Sequence, residues 1–496
     1  MALFQEIQAP NVKYNQPLGL FINNEFMKGI DGKTFVTTNP YDQKPIVAVH
    51  EATEKDVQVA VQAARGAFEG SWSIVTPSDR GKMLTKLADL MAAKLETIAA
   101  TISLDNGKAL SAAMFEVTNA IDCFRYYGGW ADKVVGQTID TDPASMTYTR
   151  HEPLGVCGLI VAWNLPISLL SWKVAPAIAT GNTVVLKSAE LTPLSSLYIA
   201  QLIKEAGFPA GVINILSGFG SIAGKAMTTH MDIDKISFTG SLAVGRQVLH
   251  AAANSNLKKV TLELGGKSPN IVFPDANLDH VMSWVNVGAF FYQGQVCCAG
   301  SRILVHEAIY ERFLDMLKKR TKINKVGDPF DPDTFQGPQV SVAQFERVMA
   351  YIEDGKKAGA TIIAGGGRIG SEGLFIQPTI FTDVRDDMAI VKDEIFGPVC
   401  TVHKFKDEKE AIEIANSTHY GLAAAVHTAD LNTAFHVSNS IKAGTVWINN
   451  FGLINPQAPF GGYKQSGFGR ELGSYALEAY TQVKLVRCWL AGPVFP

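Results

Sequence analysis

The sequence predicts an α/β fold, and two patterns carry that reading. Short β-branched runs alternate with amphipathic stretches long enough for several helical turns. The alternation runs through two successive series, about residues 183–264 and 278–449. Each series is sufficient to build a mostly parallel sheet covered by helices.

Two helices precede the first series. Within 55–69, Val57, Ala60, Ala63, Ala64 and Ala67 recur at helical spacing. A single helix is expected from about Asp79 to Ile102, with Leu84, Leu87, Met91, Leu95 and Ile98 on one face and Ser78 or Asp79 as N-cap. The first series then reads as strand Thr183 to Leu186 and helix Leu194 to Ala206, closed by Gly207 and Pro209. Strands Val212 to Leu216 and Lys235 to Phe238 follow, then helix Ser241 to Ala253 and strand Val260 to Leu264. The second series comprises helices at 278–294, 308–322, 342–358, 407–415 and 430–440, and strands at 302–305, 376–382, 421–427 and 444–449. Met146 to His151 and Thr481 to Leu490 are extended and near-alternating; they fit neither series and can pair with each other or with another subunit. No internal repeat is evident.

Composition narrows the class. The chain has 496 residues, 47% hydrophobic and 18% charged, which is globular and sufficient for several domains. Lys and Arg number 44 against 47 Asp and Glu, a formal charge of −3, with no basic stripe for nucleic acid. Six cysteines in so long a chain form no disulfide framework and point to a reducing compartment. The most apolar run, Gly158 to Leu170, is broken by Asn164 and Pro166 and falls short of the roughly 20 residues a membrane span needs. The first residues lack a signal-peptide pattern, so the cytoplasm is the expected location. Asn416-Ser417-Thr418 is then a coincidental sequon.

Common catalytic signatures are absent. There is no G-x-S-x-G elbow, no H-E-x-x-H or paired C-x-x-C for zinc, and Thr261 replaces the first glycine of a would-be P-loop ending at Ser268. A metal site has no support. Cys297 and Cys298 lie where a helix yields to small residues and a strand, a junction whose backbone donors can lower a thiol pKa and bind an oxyanion. Two buried, inert thiols are the alternative. Glu263 ends an apolar strand directly before Gly265 and Gly266, so it is either ion-paired or tuned as a base by desolvation. Gly218-Phe219-Gly220-Ser221-Ile222-Ala223-Gly224, Thr239-Gly240-Ser241 and Lys187-Ser188-Ala189-Glu190 each follow a strand. Together they suggest a nucleotide crevice at one sheet edge, although the glycine spacing is not the usual dinucleotide fingerprint.

These motifs resemble the NAD(P)-dependent aldehyde dehydrogenase superfamily. Glu263-Leu264-Gly265-Gly266-Lys267-Ser268 precedes the Cys297 of Gly294-Gln295-Val296-Cys297 by 34 residues. Trp163-Asn164, Phe238-Thr239-Gly240-Ser241, Glu394-Ile395-Phe396-Gly397-Pro398 and the stretch Pro459 to Gly467 follow the family's order. The similarity runs from about Leu20 to Leu485 and is nearest the cytosolic and mitochondrial group acting on general aldehydes.

The resemblance implies a Rossmann-like NAD-binding domain (1–132 and 154–264), an α/β catalytic domain (265–465), and a small β oligomerisation arm with a C-terminal segment (133–153 and 466–496). It implies Cys297 as nucleophile, Glu263 as general base, and Asn164 with the Cys297 N–H as oxyanion donors, with Cys298 a bystander. Lys187 and Glu190 resemble the adenosine-ribose ligands; Trp163, Gly220, Gly240 and Ser241 line the cofactor cleft; Glu394 and Phe396 hold the nicotinamide ribose. NAD is the expected cofactor, preferred over NADP because Glu190 can accept from the ribose 2′-OH and would repel a 2′-phosphate. The substrate tunnel is expected from Leu165, Leu169, Trp172, Phe291, Val296, Ile454 and Phe460, uncharged throughout. Two departures stand out: Ala162 replaces the family's first proline in Pro-Trp-Asn-Phe-Pro, and Leu165 its phenylalanine. Aliphatic Leu165 and Ile454 predict a wider passage, favouring medium-chain or aromatic aldehydes over acetaldehyde, and offer no aromatic cage for betaine aldehyde. A homodimer or homotetramer is implied. The tail from Arg487 to Pro496 is longer and more apolar than the resemblance leads one to expect.

Overall fold

A computed structural model describes residues 2–10 and 12–490. Eight strands form the first sheet, in spatial order Gly467–Phe468, Lys259–Glu263, Lys235–Thr239, Val156–Ile160, Thr183–Ser188, Ile213–Ser217, Leu20–Ile22 and Glu25–Met27. The middle five are parallel. From Val156–Ile160 the chain adds two strands on one side, then crosses to add two on the other. Strand order therefore reverses beside Val156–Ile160, and the carboxyl ends of these strands open on a crevice there.

Val156–Ile160 is missing from the sequence reading because Cys157 and Gly158 interrupt its β-branched run. The small residue is needed: a Cβ at Gly158 would lie 2.6 Å from Ile236 Cδ1 of the adjacent strand.

Seven strands form the second sheet, in the order Thr361–Ala364, Thr379–Thr382, Val399–Phe405, Arg302–His306, Pro269–Val272, Ala423–His427 and Thr445–Ile448. All its pairings are parallel except that of the first strand. The extended segments outside both series pair with each other: Thr481–Trp489 runs antiparallel to Ser145–Pro153 over its whole length, with Thr138–Ile139 on the far side. Residues 491–496 of the apolar tail lie outside the described residues.

Several helices differ from expectation. The helix expected over 79–102 is two, Pro77–Ala93 and Leu95–Asn106, broken at Lys94 (φ −116°, ψ 17°). Its N-cap is Thr76, whose Oγ1 accepts from Asp79 N at 3.2 Å, and Pro77 occupies the first helical position. Helices Leu110–Trp130 and Pro166–Ala179 are additional. The second is buried on every side, so it shows no amphipathic period. The helix expected over 278–294 stops at Phe290. Tyr292, Gln293 and Gly294 then take φ values of 51°, 60° and 68°, a left-handed reversal that the apolar pattern does not reveal.

Candidate active site

That reversal delivers the two thiols. Cys298 is buried and Cys297 only partly so. The chain is pinned there by Gly300 N donating to Gly288 O at 2.9 Å and Ala299 N to Val296 O at 3.0 Å. The Cys298 thiol hydrogen bond, then burial, push the Cys297 thiol well above its ordinary 9.0. A thiolate at Cys297 is therefore not preformed; it needs a proton acceptor when the reaction begins.

Asn164 reaches the same chamber from the carboxyl end of Val156–Ile160. Its loop is held from beneath by a buried ion pair, Lys108 with Glu116. Lys108 Nζ donates to Asn164 O at 2.7 Å, and Glu116 Oε1 accepts from Ile167 N at 2.9 Å and Ser168 N at 3.2 Å. The carboxylate thus caps the amino end of helix Pro166–Ala179, where its charge also meets the helix dipole. Asn164 Nδ2 donates to Gln295 O at 3.0 Å, tying the amide to the thiol loop.

Glu263 ends its strand only 3% exposed, and among the described residues its Oε1 has no hydrogen-bond partner. Burial, then the charges of Cys297 and Glu471, raise its carboxyl well above the ordinary 4.5. Of the two sequence alternatives, the ion pair is not seen: among the described residues no cation pairs with Glu263 directly. The two glycines Gly265 and Gly266 allow close packing after it. A side chain at Gly265 would fall on the Glu394 carboxylate, and a Cβ at Gly266 would sit 2.6 Å from the Cys297 carbonyl oxygen. They let protein groups close in.

The crevice holds the remaining expected residues. Lys187 Nζ donates to Gly218 O at 2.7 Å and Ser188 O at 2.8 Å, and stands 3.4 Å from Glu190 Oε2. Glu190 does not cap the next helix; Asp105 Oδ2 accepts from Leu194 N instead, at 3.0 Å. Glu190, Gly220, Phe219, Ser221 and Lys225 line a cleft of about 1120 Å³. Next to it, Trp163, Asn164, Gly240, Ser241, Cys297, Glu394 and Phe396 line a chamber of about 240 Å³. Ser241 Oγ caps helix Leu242–Ala253, accepting from Val244 N. Glu394 Oε1 accepts from Gly266 N at 3.3 Å, and burial lifts its carboxyl to about 7. Phe396 sits at φ 61° with its ring edge-on to Trp163, centroids 5.2 Å apart.

All seven expected tunnel residues line the chamber or the passage beyond it. Leu169 and Phe460 face the chamber, Phe291 the passage, and Leu165, Trp172, Val296 and Ile454 both. The passage measures about 90 Å³.

Sequence reasoning missed three sets of residues. Gln344 Nε2 donates to Phe396 O at 2.7 Å and an Arg347 guanidinium N–H to Glu394 O at 3.0 Å, fixing that loop. Phe115, Asn119 and Phe451 line the passage. Lys108 and Glu116 carry the Asn164 loop, and here a signal existed: Glu116 stands among Ala112, Ala113, Val117 and Ala120, a carboxylate on an apolar helix face.

A dinucleotide fits this arrangement. The crevice lies at the strand-order reversal, Thr239 Oγ1 is buried beside the chamber without a partner, and Lys187 with Glu190 offers both a donor and an acceptor to a ribose. Fold and site define a nucleotide-dependent enzyme working through a thiol and a carboxylate. Residues 26–486 match the aldehyde dehydrogenase family. An aldehyde dehydrogenase of Emericella nidulans is 66% identical, over 99% of this chain and 99% of its own. The mitochondrial aldehyde dehydrogenase of Mesocricetus auratus is 51% identical, over 97% of this chain and 96% of its own. The NAD+ complex of an aldehyde dehydrogenase from Bacillus cereus shares the fold at a TM-score of 0.94 and 50% identity, covering 96% of this chain and 97% of that one. The chain belongs to the aldehyde dehydrogenase family. It is an oxidoreductase acting on aldehydes, with NAD as the hydride acceptor.

Proposed function

We propose that this chain oxidises a broad range of neutral aldehydes to carboxylic acids through Cys297, Asn164 and Glu263. The carrying observation is that Cys297 and Asn164 line one chamber, with Glu263 buried close enough for the Cys297 charge to raise its carboxyl and with its Oε1 unpartnered among the described residues. Cys297 Sγ gives its proton to solvent, and the thiolate bonds to the aldehyde carbon. The oxygen that becomes an alkoxide is held by Asn164 Nδ2 and the Cys297 N–H, and one such donor contributes ~3 kcal/mol. When bound, NAD would supply the hydride acceptor for that carbon, and Cys297 would then carry a thioester. Glu263 then takes a proton from water as its oxygen attacks the thioester, the C–S bond breaks, and the acid departs.

Lys187 and Glu190 would hold the adenosine ribose, Glu394 and Phe396 the nicotinamide ribose, and Trp163, Gly220, Gly240 and Ser241 the cleft between them. Glu190 favours NAD over NADP by like-charge repulsion of a 2′-phosphate. We further assign 1–132 with 154–264 to cofactor binding, 265–465 to catalysis, and 133–153 with 466–496 to assembly as a dimer or tetramer. The cytoplasm is the proposed location; among the described residues no helix is long and apolar enough to cross a membrane.

Product analysis tests the scheme. Cys297→Ala should abolish NAD reduction with every aldehyde while Cys298→Ala keeps most of it, and free acid should form without coenzyme A. Equal damage from the two substitutions, or acyl-CoA as product, would overturn it. Aliphatic Leu165 and Ile454 at the neck support preference for medium-chain or aromatic aldehydes over acetaldehyde. Leu165→Phe should lower kcat/KM for the bulky aldehyde by a larger factor than for acetaldehyde; equal losses would remove this position as the width determinant.

A further inference from the structure

The passage carries two hydrogen-bonding side chains that the reaction scheme leaves unused. Asn119 on helix Leu110–Trp130 and Ser168 on helix Pro166–Ala179 line it. Phe115 and Asn119 stand four residues apart on one helix, as do Ser168 and Trp172 on the other, so each helix turns one ring and one polar group to the same space. Ser168 is 5% exposed, and its N–H is spent on Glu116. Among the described residues, neither its hydroxyl nor the partly exposed Asn119 amide has a hydrogen-bond partner. A nearly buried, unpartnered hydroxyl facing an apolar cavity awaits a ligand, and the partly exposed amide lines the same cavity.

Their position sets where that ligand is polar. Asn119 and Ser168 line the passage and not the Cys297 chamber; the neck between is Leu165, Val296 and Ile454. A substrate reacting at Cys297 must therefore be apolar next to its carbonyl and polar at its far end. Phe115, Trp172, Phe291 and Phe451 wall the intervening space, which suits an aromatic ring held edge-on and offset.

We infer that the passage selects aromatic aldehydes bearing a ring hydroxyl remote from the aldehyde, read by Asn119 and Ser168. The inference rests on the Cys297 chamber being where the aldehyde reacts. A phenolic O–H can donate to Asn119 Oδ1 while its oxygen accepts from Asn119 Nδ2 or Ser168 Oγ. A ring lacking the hydroxyl leaves the nearly buried Ser168 hydroxyl unpaired, which is a stronger basis for rejection than lost contact area.

The test compares kcat/KM for para-hydroxyphenylacetaldehyde and phenylacetaldehyde, followed as NAD reduction by the intact enzyme. The wild type should favour the phenol by about tenfold or more, and Asn119→Leu should bring the ratio near one. Ser168→Ala should lower it independently. The ratio cancels any change in folded fraction, so a poorly folding variant still reports. A wild-type ratio near one, or one unmoved by both substitutions, would overturn the inference while leaving aldehyde oxidation standing. Preference for an ω-hydroxyalkanal over its alkanal without preference for the phenol would also overturn it, moving the class to aliphatic hydroxyaldehydes. Oxidation of neither ring compound nor any alkanal would overturn the proposed function itself.

Discussion

Glu263 joins two demands that oppose each other. Held dry near Cys297 and Glu471, its carboxyl keeps its proton to a higher pH than it would in the unfolded chain. Ionising it therefore destabilises the fold progressively as pH climbs from the ordinary 4.5 through the raised folded value. The same desolvation makes it a stronger base for thioester hydrolysis. Glu263→Gln should thus raise Tm at pH 8 by more than at pH 4, while slowing steady turnover more than the first burst of NAD reduction. In the wild type kcat should fall as pH drops and Glu263 and Cys297 take up protons. A variant with unchanged Tm at both pH values would show that Glu263 is not strained by burial.

At the scale of elements, the site depends on how helix Leu110–Trp130 meets helix Pro166–Ala179. Lys108 and Glu116 are both essentially fully buried, and together they satisfy Asn164 O, Ile167 N and Ser168 N. Removing one partner leaves an uncompensated buried charge, so Glu116→Gln should destabilise by about 3–5 kcal/mol. Replacing both with apolar residues, Lys108→Met with Glu116→Leu, should recover most of the Tm. It should not recover kcat, because the Asn164 loop loses its anchor on either route. Recovery of both would mean that the pair serves folding alone.

Over the whole molecule, two large sheets are accompanied by a separate three-stranded sheet. Thr481–Trp489 is its edge strand and leaves Val483 and Leu485 largely exposed, a template for pairing with another copy. Val483→Lys with Leu485→Glu should shift the mass measured by light scattering toward the monomer, with far-ultraviolet circular dichroism unchanged. An unaltered mass would place the assembly surface elsewhere.

The sequence by itself determined the alternating α/β plan and the strands near 183–186, 235–238 and 260–264, and it singled out the thiol, carboxylate and amide as candidates. Those features are written locally, as short periodicities and as residue types beside glycines. Only the tertiary structure decided the rest. The central strand hides behind Cys157 and Gly158, and helix Pro166–Ala179 has no polar face to give it a period. The contacts of Lys108 with Asn164 and of Glu394 with Gly266 join positions 56 and 128 residues apart. Asn119 and Ser168 line one passage only because two helices pack side by side. Burial and long-range proximity, which leave no local pattern along the chain, set the pKa of Glu263 and the polarity of the passage.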